Sequence, residues 1–439
     1  MVSASEIPEL RTLSPADIQK EDFEPVNQEV REKALEIITD VRKKGEEGLL
    51  QYAWRFGELA KDERKFLIGR DELKVAFEAL PKNQQEVLTR TAERIRTFAL
   101  AQRDSIRAVE VPITGGFAGQ VVEPVQRAGC YAPGGRYPLP SSVLMTACTA
   151  RAAGVSEVIV ASPKPTAVTK GAAYVAGADG LLAIGGAHAI AAMAYGVGTS
   201  PVDIIVGPGN QYVTAAKSIV NGICGIDMLA GPSEVLVLAD SSADADVVAA
   251  DLLAQAEHDV EARPILVSPD KAVISKVNTA LRKQLAVLPT KDVAIPAVRK
   301  GFAVLTKDMA EAIAVTNKLG PEHLEIQTEN FQKVADSCTS YGGLFIGGLS
   351  AEAMGDYGAG PNHVLPTSCT AKYTGGLSVH TFLRLRTWMR LESKEAAQPQ
   401  IEDCVVLARL EGLEGHARAA EQRLLGGPEG SAAKRLRTT

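Results

Sequence analysis

The run Arg127–Ile184, RAGCYAPGGRYPLPSSVLMTACTARAAGVSEVIVASPKPTAVTKGAAYVAGADGLLAI, decides the fold class. It opens on a short apolar stretch, Arg127–Tyr131, and breaks at the turn Ala132-Pro133-Gly134-Gly135. A helical run follows at Ser142–Ala153, then β-branched residues at Glu157–Ala161, helix at Ala167–Ala176 and strand again at Gly180–Ile184. Strands recurring about every 25 residues with helices between them predict parallel sheets in a doubly wound α/β fold. Downstream the pattern continues with strands at Val202–Val206, Glu234–Leu238, Pro264–Val267 and Phe302–Leu305. The intervening helices are Ala187–Tyr195, Gln211–Asn221, Ala243–Glu257, Lys271–Leu285 and Asp308–Leu319. Two such sheets are expected, one around 130–235 and one later.

Upstream the chain reads differently. Residues 1–25 carry Pro8, Pro15 and Pro25 and form an expected extended arm. Asn27 is a candidate N-cap for a helix that aligns Val30, Ala34, Ile37, Ile38 and Val41 and stops at Gly45. Further helices are expected at Glu46–Phe56, Asp71–Leu80 and Lys82–Arg107, the last with Val87, Leu88, Thr91, Ile95 and Phe98 in register. Beyond about residue 378 the alternation stops and helical segments return.

Composition narrows the function classes. Lys+Arg total 47 against 53 Asp+Glu, a net charge of −6, so there is no global basic field for nucleic acid. The six cysteines form no CxxC pair, which argues against a cysteine zinc cluster or a disulfide scaffold and for a reducing, cytoplasmic setting. Gly180–Gly198 is uncharged, but Gly185-Gly186 divides it into a short strand and a small-sided helix, so no membrane span is expected. The acid-rich N-terminus is unlike a transit peptide, and Gly426–Thr439, with its KRLR, reads as a solvated tail.

Motifs for a GxGxxG dinucleotide loop, a Walker lysine loop and a GxSxG nucleophile elbow are missing. Glycine turns do follow strands, at Gly134-Gly135 and at Gly207-Pro208-Gly209-Asn210, and a third, Gly231-Pro232-Ser233, precedes one. A helix N-terminus behind such a turn lets a phosphate reach backbone N–H groups, although a plain tight turn has the same appearance. The six histidines all lie beyond residue 187. Gln255 and His258, three apart, share a helix face; Glu322-His323 follows a Gly-Pro turn; Asp356 and His363 flank a glycine-rich loop; His416 lies in EGLEGH. Imidazoles with carboxylate and amide oxygens suit Zn²⁺ or a similar ion. Spacing alone does not bring residues 258, 356 and 416 together, and from pattern the chain is an α/β enzyme with a candidate metal site.

The segments GCYAPGGRYPLPSSVLMTACTARAAGV, GGAHAIAAMAYGVG, VDIIVGPGNQYVTAAK, IDMLAGPSEVLVLAD, DLLAQAEHD, GPEHLEI and GDYGAGPNHVLPT resemble the histidinol dehydrogenase family, over about residues 28–420. That resemblance implies a zinc-dependent homodimer that oxidises L-histidinol through L-histidinaldehyde to L-histidine with two NAD⁺, the last step of histidine biosynthesis. It implies one Zn²⁺ per subunit, held by Gln255, His258, Asp356 and His416, with His416 supplied by the partner's swapped tail. Glu322 and His323 match the family's acid–base pair. Ser233, His363 and Glu411 match positions around the substrate, which the metal ligands and His323 also contact. Tyr131 and Asn210 match NAD contacts, and His188 occupies a further NAD-contact position that is usually Gln. His380 has no role in this pattern, and Cys130 reads as a small buried residue. The expected division is an arm over 1–26, a first α/β domain from 27–129 with 237–378, an NAD-contacting α/β domain over 130–236, both incomplete Rossmann-like folds, and a helical tail over 379–439.

The chemistry suits these residue types. A histidine can take the alcohol proton as a hydride leaves, and a carboxylate beside it can activate the water that converts the aldehyde to a gem-diol. A relative that oxidises another small alcohol, such as a sulfonated diol, is the alternative enzyme; Glu322, His363 and Glu411 are the positions that favour histidinol. A catalytically dead zinc-binding scaffold is the non-enzymatic alternative, against which the intact Glu322-His323 pair counts.

Overall fold

A computed structural model describes residues 7–18, 26–134 and 138–426. Gly135 of the first glycine turn, Pro25 of the arm and the KRLR tail lie outside the described residues. The described chain divides into two compact units, one from Met1–Arg103 and Val125–Phe382, the other from Asp104–Pro124 and Leu383–Thr439.

The first unit holds two six-stranded sheets. In sheet I the spatial order is Leu67–Gly69, Gly180–Leu182, Glu157–Ala161, Arg127–Tyr131, Ile204–Val206, Gly225–Ile226, all parallel except the first. Alternate residues of each strand face opposite ways. Tyr131, Ile159, Ala161, Leu182 and Ile205 meet helices Gln28–Lys44, Glu46–Arg55, Gly186–Tyr195 and Gln211–Val220. Cys130, Val158, Val160 and Leu181 are equally buried and, by alternation, face the other way, and Pro140–Ala153 and Ala167–Ala176 also pack on the sheet.

Sheet II is parallel throughout: Arg11–Leu13, Phe302–Leu305, Arg263–Ser268, Glu234–Ala239, His323–Gln327, Gly343–Ile346. One face, with Val235, Val237, Leu266 and Ala303, packs on helices Ala245–Ala256, Lys271–Val287 and Lys291–Lys300. The other, with Leu236, Leu238, Ile265, Leu324 and Ile326, packs on Met309–Leu319 and Phe331–Ser337. Both sheets are therefore doubly wound, and the α/β class expected from sequence is the observed one.

Helices Gln28–Lys44 and Glu46–Arg55 pack on sheet I: Val30, Ala34, Ile38 and Val41 share a core with Ile190, Met193 and Val213. An amphipathic stripe fixes that a helix buries one face, not which sheet receives it. Within the long helix Lys82–Asp104, Leu88, Thr91 and Ile95 are buried as expected, but Val87 and Phe98 are 48% and 38% exposed. The arm is partly a strand, since Arg11–Leu13 forms the edge of sheet II. The tail is not wholly helical. In the second unit Leu383–Leu391 pairs antiparallel with Gly116–Pro124, which in turn pairs with Val109–Ile113. No buried apolar run marks that sheet in the sequence, because two of its strands are mostly exposed and the third is only half-buried; helices Lys394–Leu410 and Glu414–Glu421 complete the unit. Among the described residues no helix is long and apolar enough to cross a membrane.

Candidate active site

Ser233 directly precedes strand Glu234–Ala239, and Glu322 directly precedes the neighbouring strand His323–Gln327. Both therefore lie at the amino edge of sheet II. The helix after a parallel strand runs back toward that edge, so the end of Ala245–Ala256 delivers Gln255, and His258 just beyond it, to the same place. The chain leaving Gly343–Ile346 doubles back over the sheet. Glu352 N donates to Glu325 Oε1 at 2.7 Å, and helix Glu352–Asp356 then leads to His363. Asn362 anchors this return by donating to Met145 O at 2.8 Å and Thr149 Oγ1 at 2.9 Å. Gly355 is required by close approach, because a Cβ there would lie 2.5 Å from His363 Nδ1.

His323 is the hub. Its Nδ1 lies 2.8 Å from Glu234 O and 2.9 Å from Gln255 Oε1. A carbonyl oxygen only accepts, so in the neutral ring Nδ1 carries the proton and Nε2 keeps a lone pair. Nε2 is 2.9 Å from His363 Nε2, whose N–H it accepts, and the rings stack at 4.6 Å between centroids. His363 Nε2 lies 3.4 Å from Asp356 Oδ1, and His258 Nε2 lies 3.4 Å from Asp356 Oδ2. Glu352 Oε1 sits between the three imidazoles, 3.9 Å from His323 and His363 and 4.0 Å from His258.

Burial sets the electrostatics. It pushes His323 well below the usual histidine range, helped by the charge of His363, so the ring stays a neutral base. It pushes Glu322 well above the carboxylate range, opposed by the hydrogen bond from Glu234 N at 3.0 Å. Glu352 is raised to about 8 by burial and by the charge of Asp356. Asp356 stays below its usual value: burial works against its charge, but the hydrogen bond from His258 and the surrounding imidazoles outweigh it. The same bond raises His258.

The donor set fits a divalent cation. His258, Glu352 and Asp356 each offer a ligand atom within 4.8 Å of the others, as do His323, Glu352 and His363. Glu352 Oε2 and the Gln255 amide nitrogen are buried without a hydrogen-bond partner, so the cluster is not closed on itself. A cation placed there would answer the carboxylate. Glu352 is absent from the set read in the sequence. Its signal was the four-residue spacing to Asp356, which needs a helix to bring the two together, and that helix is only five residues long. Glu411 and His416 lie in the second unit, Glu411 capping Lys394–Leu410 and His416 exposed in the first turns of Glu414–Glu421. His380 lies in a 3₁₀ turn, Val379–Phe382, and Cys130 is fully buried with its thiol pushed up to about 12 by burial.

The remaining expected residues gather at the carboxyl edge of sheet I. There the strand order reverses beside Arg127–Tyr131, the position where open α/β sheets bind ligands. Tyr131 ends the central strand, His188 lies in the first turn of Gly186–Tyr195, and Asn210 is the N-cap of Gln211–Val220, accepting from Tyr212 N and Val213 N. Tyr131 and His188 are both buried and engaged within the fold. Tyr131 Oη accepts from Gly186 N at 3.1 Å, and His188 Nε2 pairs with Glu58 Oε2 at 2.7 Å. Glu58 Oε1 in turn accepts from Gly185 N at 3.1 Å. Helix N-termini and glycine turns at this edge suit an anionic dinucleotide.

The histidinol dehydrogenase family model matches residues 20–424. A histidinol dehydrogenase of Thermus thermophilus is 45% identical over 404 residues, covering 91% of this chain and 95% of that one. One from Bordetella parapertussis is 42% identical and covers 91% and 92%. The crystal structure of histidinol dehydrogenase from Elizabethkingia anophelis is 30% identical, covers 94% of this chain and 98% of that one, and superposes with a TM-score of 0.87. With two doubly wound sheets and one edge crowded with imidazoles and carboxylates, this chain belongs to the histidinol dehydrogenase family of NAD-dependent oxidoreductases.

Proposed function

We propose that the chain oxidises L-histidinol to L-histidine in two hydride transfers to two NAD⁺, with L-histidinaldehyde held between them. The observation that carries this reading is the convergence of Gln255, His258, Glu322, His323, Asp356 and His363 on one edge of sheet II, in a family with that activity. Zinc, when bound by Gln255, His258 and Asp356 with His416 of a second copy, would grip the substrate's imidazole and amine nitrogens and fix their orientation. Ser233, His363 and Glu411 would complete the substrate's surroundings. NAD⁺, bound along Tyr131, His188 and Asn210, would accept the hydride each time.

The chain's own groups handle the protons. His323 Nε2 carries the lone pair of the neutral ring and accepts from His363 in the resting site; it takes the proton of the alcohol O–H in place of that bond as the first hydride leaves carbon. Its Nδ1–H stays fixed on Glu234 O, so the ring neither turns nor loses the right tautomer. Water must then add to the aldehyde carbon. Glu322, 3.8 Å from His323 Nδ1, is suited to accept the proton of that water while the protonated His323 returns its proton to the carbonyl oxygen. The gem-diol then yields the second hydride as His323 takes a hydroxyl proton, leaving the carboxylic acid. Exposed Leu385, Met389, Leu407 and Leu410 in the second unit support a homodimer in which that unit meets a second copy. The test is to count NADH formed per histidine from L-histidinol. A ratio near two is expected, and a ratio near one would mean that the reaction stops at the aldehyde.

A further inference from the structure

We propose that Lys217 and Asp227 are positioning residues that hold the dinucleotide loop Gly207–Asn210 in register with the segment entering the catalytic edge; this rests on reading the carboxyl edge of sheet I as the NAD site. The two side chains form an ion pair buried to 4% and 1% exposure, well inside the first unit. Lys217 Nζ also donates to Gly207 O at 3.0 Å, and Asp227 Oδ2 accepts from Gly207 N at 2.7 Å. Both polar atoms of Gly207 are thereby held by the pair. Gly207 has a φ of +117°, and a Cβ added to it would lie 2.0 Å from Tyr131 O, so the loop passes directly over the end of the central strand.

The other side of the pair faces the crossing between the sheets. Asp227 Oδ1 accepts from Met228 N at 2.7 Å, and Thr214, on the same helix as Lys217, donates through Oγ1 to Ala230 O at 3.2 Å. Residues 227–233 run from the last strand of sheet I to Glu234, whose carbonyl orients His323. One ion pair thus links the cofactor loop to the segment that carries Ser233 and Glu234. A buried pair of this kind adds little net stability over an apolar pair of the same size. What it adds here is direction, because an aliphatic pair cannot hold both polar atoms of Gly207.

The experiment measures NADH affinity by fluorescence titration, together with KM for NAD⁺, KM for histidinol, kcat, metal content and Tm. Lys217→Met and Asp227→Asn should weaken NADH binding and raise KM for NAD⁺ about tenfold, as small misplacements of a binding loop do. KM for histidinol and metal content should stay near wild type, and Lys217→Arg should recover most of the affinity. The charge-free double variant, Lys217→Met with Asp227→Leu, separates positioning from stability and carries the decision if a single variant does not fold. It should regain Tm without regaining NADH affinity. Wild-type affinity in any folded charge-removed variant overturns the proposal, as does affinity that returns together with Tm. Hydrogen exchange of the wild-type protein with and without NADH checks the underlying reading. Protection at 207–213 with an unaffected Lys217→Met defeats this proposal alone, whereas no protection there defeats the assignment of the NAD site.

Discussion

The carboxyl edge of sheet I and the amino edge of sheet II belong to sheets of one design, yet they are built from opposite materials. At the first, the chain offers glycine turns and helix N-termini: Asn210 caps Gln211–Val220, and Gly186–Tyr195 begins behind Gly185. At the second, it offers side chains and helix C-termini: Ala245–Ala256 ends at Gln255 and His258, and Met309–Leu319 ends just before Glu322. Helix N-termini carry partial positive charge and C-termini partial negative charge. The first edge is therefore suited to a pyrophosphate and the second to a metal ion or a substrate ammonium. Ligands of open α/β sheets ordinarily sit at carboxyl strand ends. On the proposed reading sheet II departs from that rule, because its amino edge gathers the carboxylates and imidazoles that a cation needs.

Removing the metal ligands should break the contrast most severely. His258→Ala, or chelation of the wild type, should abolish turnover, and Zn²⁺ should restore the chelated wild type. Full activity in a sample shown by elemental analysis to be free of metal would remove the cationic half of the comparison. Next in size, His323→Ala should slow histidinol oxidation by about 10²–10⁴-fold. Glu322→Ala should act mainly on histidinaldehyde oxidation, so equal losses of both half-reactions in both variants would contradict the division of labour. A complementation test asks whether the second edge is completed from another copy. His416→Ala and His258→Ala chains, each inactive alone, should regain up to about half the activity per heterodimer when mixed, because one site then carries both lesions and the other none. Subunit exchange is verified by mass, and silence after verified exchange would mean that His416 serves its own chain.

A smaller effect lies behind the second edge. On strand His323–Gln327 the residues His323, Glu325 and Gln327 share one face, toward Asp251 and Gln255. Burial, and then the charge of Asp251, raises Glu325 to about 9. An unfolded glutamate titrates near ~4.3, so the folded chain holds an extra proton between those values. Stability from this group is fully present below the lower value and is lost as pH rises toward the upper one. Glu325→Gln keeps the shape without the titration, so its Tm relative to wild type should climb steadily from about pH 5 to about pH 9. A difference independent of pH would contradict the buried proton.

That same strand shows where sequence reading stops. The four central strands of sheet I are short apolar runs and were legible as such, whereas its edge strands Leu67–Gly69 and Gly225–Ile226 were too short to read, and HLEIQ alternates polar with apolar and looks half-exposed. All five residues are buried, because the polar face meets polar partners on the helix Ala245–Ala256. Gln255 and His258 were legible from their spacing on one helix, and Asp356 with His363 from the loop between them. Glu352 was not, because its carboxyl enters the cluster only through a fold-back that no local pattern announces. His188 was assigned to the cofactor by resemblance, yet in the fold its Nε2 is engaged by Glu58, a partner 130 residues away.

The separation of the two edges is tested most directly by measuring metal content and NADH affinity together in His258→Ala and Lys217→Met. The expected result is a double dissociation: His258→Ala loses its metal and binds NADH as wild type does, and Lys217→Met keeps its metal and binds NADH about tenfold more weakly. Loss of NADH affinity in the metal-free His258→Ala protein, or loss of metal in Lys217→Met, would contradict the assignment of cofactor and metal to separate edges.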